Sequence, residues 1–259
     1  MRTRPIQLAV PTAVIALLLT ACSSTAGGSG EEIDLITEGT LTVCTNPPYE
    51  PFEYEENGEV VGLDMDIIAE IAADLGADMA VKITPFEGIQ SGADVGSNNC
   101  DIVASGITIT DARAENMDFS EPYFDADQGL LVPAGSGLDS VESLEGLRVG
   151  VQQATTGLDW AEEQGLTTVE FEDLGLQVQA LRNGSVDAII NDIAVLGPFA
   201  DDELEIGTAF PTGEQYGFGV KKGNTALLKA VNDTLARILT DGTYDEIYIK
   251  YIGTAPVES

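Results

Sequence analysis

The stretch DIVASGITITDAR, residues 101–113, decides the fold. It begins with the apolar run Ile102-Val103-Ala104, which is typical of a short strand buried in a parallel sheet. Gly106 follows at once, and two threonines then lead to Arg113. Ligands of open α/β sheets bind at the carboxyl ends of the strands, where this segment would lie. The stretch therefore predicts a ligand site that directly follows a buried strand.

Arg113 is the residue of this segment that carries chemistry. A guanidinium in this position is suited to binding a carboxylate through two parallel hydrogen bonds. Arginine is also scarce, because removing Arg2 and Arg4 from the 11 cationic residues leaves only nine. The alternative is a surface arginine that pairs with Asp111 or Glu115, and this segment alone does not decide between the two.

The composition excludes several classes of function. The chain has 44 acidic and 11 cationic residues, a net charge of −33, so nucleic acid would be repelled. It contains no histidine, which excludes Ser-His-Asp and Cys-His catalysis and HExxH zinc sites. Cys44 and Cys100 lack the paired spacing of zinc ligands. We therefore predict no metal, no cofactor and no nucleic-acid partner.

The first 22 residues are typical of a segment that directs export. Arg2 and Arg4 form a basic start, and the apolar run Ile6–Leu19 is shorter than the roughly 20 residues that span a bilayer. Leu-Thr-Ala followed by Cys22 looks like a bacterial lipobox, which predicts a lipid on Cys22. The alternative is an ordinary signal peptide with an incidental cysteine. A Ser/Gly-rich stretch follows, so we predict a flexible tether over residues 23–32.

The remaining chain alternates predicted strands and helices, which is typical of an α/β protein. Predicted strands cover residues 41–45, 79–83, 101–104, 130–132, 148–151, 168–171, 186–190 and 218–220. Predicted helices cover residues 63–75, 86–95, 156–163, 176–182, 193–199, 227–239 and 244–251. Gly76 is the expected C-cap of the first helix. Two glycines within residues 86–95 weaken the prediction of the second helix.

Five segments together resemble one protein family. They are TVCTNPPYEPFEY (42–54), GLDMDIIAEIAADLG (62–76), RVGVQQATT (148–156), VDAIINDIAV (186–195) and DGTYDEIYIKYIG (241–253). In this order they resemble the family 3 extracellular solute-binding proteins, the amino-acid receptors of ABC importers. The resemblance implies the two-lobed type II architecture of periplasmic binding proteins, an α/β fold with two hinge crossings. Lobe 1 would comprise residues 33–126 plus 216–259, and lobe 2 residues 127–215, with crossings near 125–129 and 211–217.

The resemblance also implies which residues bind the ligand's carboxylate. Arg113 aligns with the family's carboxylate arginine, and Thr108 with a residue that offers its backbone N–H and hydroxyl. Thr155 and Thr156 align with the contribution of lobe 2, at the start of a predicted helix where free N–H groups favour anions. Plain helix capping is the alternative role for these two threonines, and both roles are compatible.

For the ligand's ammonium group, the resemblance implies Asp192, which follows a predicted strand. The alternative role for Asp192 is that of a helix N-cap. Ser105 and the carbonyl of Gly106 are weaker candidates for the same cation.

The variable side chain of the ligand would contact Tyr49 and Phe86, whereas Phe52 is expected to pack its loop. Receptors for basic amino acids often carry an aspartate where this chain has Asn46. An amide cannot neutralise a cation but can hydrogen-bond a polar group, so Asn46 favours a neutral polar ligand such as glutamine. Glutamate remains open.

An exported protein meets an oxidising compartment, so Cys44 and Cys100 are expected to form a disulfide. The resemblance places their strands next to each other in lobe 1.

Taken together, the sequence predicts an extracytoplasmic lipoprotein, anchored to the cell membrane through Cys22, that delivers an amino acid to an ABC permease and is monomeric. An enzyme on the same scaffold, such as a dehydratase acting on a small carboxylic acid, is the main alternative. A sensor or adhesin that uses the lobes only for interaction is the third.

Overall fold

Two five-stranded sheets organise residues 33–253, the part of the chain that this computed structural model describes. The predicted signal segment, Cys22 and the tether fall in residues 1–32, outside the described residues. Strands and helices are interspersed along the chain, and the α/β, two-lobed type II architecture is confirmed. We call the part built on the first sheet lobe 1 and the part built on the second sheet lobe 2.

The elements are numbered in chain order. The strands are β1 Thr40–Thr45, β2 Tyr54–Glu56, β3 Glu59–Val61, β4 Asp78–Ile83, β5 Ile102–Val103, β6 Met117–Phe119, β7 Phe124–Pro133, β8 Arg148–Gln152, β9 Thr167–Phe171, β10 Ala188–Asp192, β11 Leu204–Tyr216 and β12 Gly219–Lys221. The α-helices are α1 Leu63–Leu75, α2 Phe86–Gln90, α3 Ala93–Gly96, α4 Asp111–Ala114, α5 Thr156–Glu163, α6 Leu174–Arg182, α7 Ile193–Leu196, α8 Thr225–Asp241 and α9 Thr243–Ile252.

The sheet of lobe 1 has the strand order β4-β1-β5-β12-β6. Strand β1 runs parallel to both β4 and β5, while β12 is antiparallel to its two neighbours. The carboxyl ends of β1 and β5 therefore meet at one edge, where the Asn46 N–H donates to Ser105 Oγ at 3.1 Å. This edge carries the predicted site residues of lobe 1.

The sheet of lobe 2 has the order β11-β7-β10-β8-β9, with β8, β9 and β10 parallel. The carboxyl ends of β8 and β10 bring Gln152 and Asn191 side by side, and the Asn191 Nδ2 donates to Gln152 Oε1 at 3.4 Å. Asp192 closes β10.

A long antiparallel ribbon of β7 and β11 joins the two lobes. The pairing runs from Tyr216↔Phe124 to Leu204↔Pro133, with two register shifts along β11. The segments where crossings are predicted, near 125–129 and 211–217, thus lie almost entirely on paired strands rather than on loops. Strand β11 itself was not predicted, because Gly207, Pro211 and Gly213 interrupt its sequence. It pairs with a neighbour on one side only, which is where a proline is tolerated in a sheet.

Helix α1 follows its sequence closely. Its apolar residues face the core, and Gly76 ends it in the left-handed conformation with φ 65°, as predicted. The prediction of a single helix over residues 86–95 is wrong. Gly92 has φ 73° and separates α2 from α3, a conformation that costs glycine little.

Cys44 and Cys100 form the predicted disulfide, with their Cα atoms 5.8 Å apart. The bond joins the end of β1 to the residue that leads into β5, and both cysteines are buried. None of the helices within residues 33–253 has the length and apolar character needed to cross a membrane.

Candidate functional site

A small cavity lies between the two lobes. Lobe 1 contributes Asn46, Tyr49, Phe86 and Ser105 to its wall, and lobe 2 contributes Gln152 and Thr155. These residues come from the carboxyl ends of strands and the loops that follow them, which is where the sequence predicts the ligand. Except for the Tyr49 phenol, no side chain of this wall is ionisable.

Arg113 is buried beside this cavity, at only 6% exposed. Its Nη1 donates to the Thr108 carbonyl at 2.8 Å, and its Nη2 donates to the Ala154 carbonyl of lobe 2 at 3.2 Å. The guanidinium also lies 5.6 Å from the centre of the Phe86 ring. Burial lowers the pKa of Arg113, opposed first by the negative charge of Asp192.

The alternative of a surface arginine is wrong. No ion pair within residues 33–253 joins Arg113 to Asp111 or Glu115. Short helix α4 holds Arg113 in place, because the Thr110 hydroxyl accepts from the Arg113 backbone N–H at 3.2 Å and caps the helix. One N–H on each Nη and the Nε–H remain outside these protein hydrogen bonds.

The start of α5 lies across the cleft from Arg113. The Thr155 hydroxyl accepts from the Leu158 N–H at 3.2 Å, so the predicted capping role is correct for this residue. Thr156 lines a neighbouring cavity together with Arg113, Ala154 and the exposed Asp159. The structure therefore brings Arg113 and both threonines to one place.

Asp192 is buried, and both oxygens of its carboxylate accept hydrogen bonds. The Tyr49 hydroxyl donates to Oδ2 at 2.8 Å, and the Tyr216 hydroxyl donates to the same oxygen. Gln128 Nε2 donates to Oδ1 at 2.6 Å. Burial raises the pKa of Asp192 to about 6, against the hydrogen bonds from Tyr216 and Tyr49. Asp192 occupies the N-cap position of α7 but makes no side-chain capping hydrogen bond, so capping does not account for its carboxylate.

Four amide side chains form a continuous relay that crosses the cleft. Gln177 Nε2 donates to two backbone carbonyls, so its Oε1 is fixed as the acceptor for Asn191 Nδ2 at 3.0 Å. Asn191 Nδ2 also donates to Gln152 Oε1, and Gln152 Nε2 donates to Asn46 Oδ1, each at 3.4 Å. At the far end, Asn46 Nδ2 donates to the Thr84 carbonyl at 3.0 Å.

This relay has a defined direction. Every amide is oriented by its neighbours, so Gln152 turns its NH₂ group and Asn46 its carbonyl oxygen towards the meeting point of the lobes. Both residues line the cavity. The site can therefore offer a donor and an acceptor without any charge.

Ser105 and Gly106 form the turn after β5. The Ser105 hydroxyl donates to Glu53 Oε1 at 2.5 Å, and the Gly106 N–H donates to Asp64 Oδ2 at 2.9 Å. Gly106 has φ 48°, and a Cβ there would lie 2.7 Å from Tyr49 Cε1. Only glycine fits this turn beneath the Tyr49 ring.

All ten predicted ligand residues thus lie at the cleft or directly beside it. Phe52 packs its loop as expected, with its ring 5.0 Å from that of Tyr216. The buried polar residues around them were not predicted from the sequence; they are Gln128, Gln152, Gln177, Asn191 and Tyr216. For Gln152 and Asn191, the available signal was a polar residue directly after a predicted apolar strand. Within the described residues, no group of three or more acidic or cysteine side chains is placed to hold a metal ion.

Comparison with known proteins agrees with this geometry. Residues 41–254 match the bacterial extracellular solute-binding proteins, family 3. The chain belongs to this family. It is 33% identical to a probable histidine-binding protein of Neisseria gonorrhoeae over 94% of each chain. It is 34% identical to the glutamine-binding protein of an ABC transporter of Bacillus subtilis, over 97% of this chain and 98% of the relative.

A solved structure of an ancestral arginine-binding protein bound to glutamine is also similar. It superimposes with a TM-score of 0.79 and 36% sequence identity, covering 84% of this chain and all of the other. This chain therefore shares the two-lobed fold of that protein, and the relatives of this chain include amino-acid-binding proteins of ABC transporters.

Proposed function

We propose that this protein is a receptor that binds a free amino acid with a neutral polar side chain between its lobes and delivers it to an ABC permease. The observation that carries the proposal is the placement of buried Arg113 and buried Asp192 at one interlobe cleft. A zwitterionic amino acid needs one cationic and one anionic side chain of the protein close together. Membership of the family supports the transport role.

Arg113 would bind the ligand's carboxylate. Its three remaining N–H groups are a good match for a planar carboxylate, because two of them can donate in parallel. Thr108 would add its backbone N–H and hydroxyl. The N-terminal turn of α5, at Thr155 and Thr156, would supply further N–H donors from lobe 2.

Asp192 would bind the ligand's ammonium group. Tyr49 and Tyr216 already donate to its Oδ2, so they orient the carboxylate in a dry environment. Ser105 and the Gly106 carbonyl lie on the facing lobe and would accept from the same ammonium. One ligand would then contact both lobes and favour their closure by hinge motion of the β7–β11 ribbon.

The wall of the cavity supports a neutral polar side chain. It contains no carboxylate that could neutralise a lysine or arginine ligand, and no cation for glutamate. The amide relay fixes a donor on Gln152 and an acceptor on Asn46. A carboxamide, which carries one acceptor and one donor group, matches this pair, so glutamine is the ligand that we favour.

We further propose that the lobes comprise residues 33–126 plus 216–259 and residues 127–215, and that the receptor is a monomer held at the membrane by lipid on Cys22. Replacing Cys22 with serine should release the protein from membranes into the soluble fraction. A wild-type protein that is already soluble, with an unmodified Cys22, would contradict the anchor.

The ligand is best identified by mass spectrometry of the small molecules released when purified protein is denatured. Isothermal titration calorimetry with a panel of amino acids should then give the tightest binding for glutamine or another neutral polar member. Recovery of the ligand chemically unchanged after long incubation would argue against a dehydratase. Absence of binding to every free amino acid would overturn the proposal.

A further inference from the structure

Two carboxyl groups without a cationic partner are buried beneath the turn Ser105–Gly106. Glu53 and Asp64 are both 0% exposed. None of the ion pairs within residues 33–253 includes either of them. An ionised carboxylate is costly to bury unless it is paired or well hydrogen-bonded, so two adjacent ones need an explanation.

Each carboxyl group holds one half of the turn. Glu53 Oε1 accepts from the Ser105 hydroxyl at 2.5 Å, and Asp64 Oδ2 accepts from the Gly106 N–H at 2.9 Å. These bonds orient the Ser105 side chain and the Gly106 peptide, which the proposed function places next to the ligand's ammonium. The two acids therefore act on the ligand only through this turn.

The two carboxyl groups differ in how many hydrogen bonds their oxygens accept. Asp64 accepts a second hydrogen bond, from the Tyr123 hydroxyl to Oδ1 at 2.6 Å, so both of its oxygens have donors. Glu53 Oε2 is buried and has no hydrogen-bond partner. An anion with one bare oxygen costs far more in a dry interior than a neutral acid in the same place.

No cationic group within residues 33–253 faces either carboxyl group. Tyr49 and Tyr123 face Glu53, and Tyr123 and Tyr244 face Asp64; all three are neutral phenols at ordinary pH. Burial, followed by the negative charge of Asp64, raises the pKa of Glu53 well above its ordinary value. Burial also raises the pKa of Asp64, against its two hydrogen bonds.

We propose that Glu53 is held as a neutral carboxylic acid beside Asp64, and that this proton positions the Ser105–Gly106 turn for the ligand's ammonium group. Loss of the proton would place two negative charges under one turn and push them apart. Glu53 and Asp64 are thus positioning residues of the binding site. The statement about the ammonium rests on the proposed function, whereas the statement about the proton does not.

The proton can be observed directly. In an infrared difference spectrum at pH 7, wild type minus Glu53→Gln should show the C=O stretching band of a protonated carboxylic acid. The matched control is Glu55→Gln, which changes an exposed glutamate two residues away and should leave the band in place. If the wild-type protein shows no such band, the proposal is overturned, even if amino-acid binding is normal.

Binding of the amino acid identified by mass spectrometry provides the second readout. The side-chain amide introduced by Glu53→Gln is neutral and can still accept from the Ser105 hydroxyl, so Kd should stay within about threefold of wild type at pH 7. Glu53→Ala removes that acceptor and should weaken binding at least tenfold. Equal losses in the two variants would show that the neutral form is not what matters, and would overturn the proposal.

The pH profile separates a positioning role from a merely structural one. As pH rises past the pKa of Glu53, wild-type Kd should increase by up to tenfold per pH unit. Glu53→Gln should lack this alkaline loss and keep any acidic loss that comes from Asp192. A protein that shows the infrared band but binds no amino acid would overturn the proposed function while leaving the proton in place.

Discussion

Replacing Arg113 with alanine should abolish tight binding while leaving the fold intact. Two of the five guanidinium N–H groups are used by the Thr108 and Ala154 carbonyls, which leaves three for a ligand. Two charge-assisted hydrogen bonds in a site where Arg113 is 6% exposed should contribute about 3–5 kcal/mol. At about 1.4 kcal/mol per tenfold, Kd should rise roughly 100- to 4,000-fold.

Arg113→Lys should recover only part of this loss. A lysine keeps the positive charge, but it cannot donate two parallel hydrogen bonds or span from Thr108 to Ala154 across the cleft. Its Kd should therefore lie between those of the wild type and Arg113→Ala. This ordering separates the fork geometry from the charge alone.

Calorimetric titration with the identified amino acid measures both variants. Arg148→Ala is a suitable control, because Arg148 is exposed and pairs with Asp187 on lobe 2, away from the cleft. Circular dichroism and the melting temperature check that each variant is folded. If folded Arg113→Ala binds within threefold of wild type, Arg113 does not bind the ligand and the proposed site is wrong.

Three other changes test the charges, the cavity wall and the disulfide. Asp192→Asn should weaken binding at neutral pH. Wild-type affinity should fall as pH drops through about 6, because protonation of Asp192 removes the counter-charge of the ligand's ammonium group. Binding titrations from pH 4.5 to 8 test both effects. Asn46→Asp should shift preference towards lysine or arginine in a binding panel, since it adds an anion to an uncharged wall; a wild type that already prefers arginine would contradict our interpretation of Asn46. Replacing both Cys44 and Cys100 with alanine opens a loop of 56 residues and should cost about 4 kcal/mol, measured as a melting temperature lower by roughly 10 °C in calorimetry.

The regular elements could be predicted from the sequence because local pattern and tertiary environment agree there. The apolar spacing of α1 ends at Gly76, and the structure ends the helix at the same residue. Strand β11 could not be predicted in this way. Its residues alternate between buried and exposed only weakly, and its glycines and proline are tolerated because it pairs on one side and contains two register shifts.

The residues of the candidate site differ in whether the sequence could predict them. Arg113 could be proposed from its own position after a strand, whereas Asp192 could be proposed only from the family resemblance, because an aspartate there also suits a helix N-cap. The neutral residues around them could not. Gln128 and Tyr216 lie on the β7–β11 ribbon, far in sequence from Asp192, and only the pairing of β7 with β10 and β11 brings all three together.

Buried amides orient the uncharged part of the candidate site. Gln177 is 0% exposed and does not line the cavity, yet its two bonds to backbone carbonyls determine which way Asn191 points. Asn191 in turn orients Gln152, which faces Asn46 across the cleft. A buried amide is tolerated only when its donors and acceptor are matched, so each member of the relay restricts the next. The polarity of the cavity wall is therefore set by residues beneath it. We expect Gln177→Ala to change the order of affinities in the same amino-acid binding panel, although Gln177 does not line the cavity.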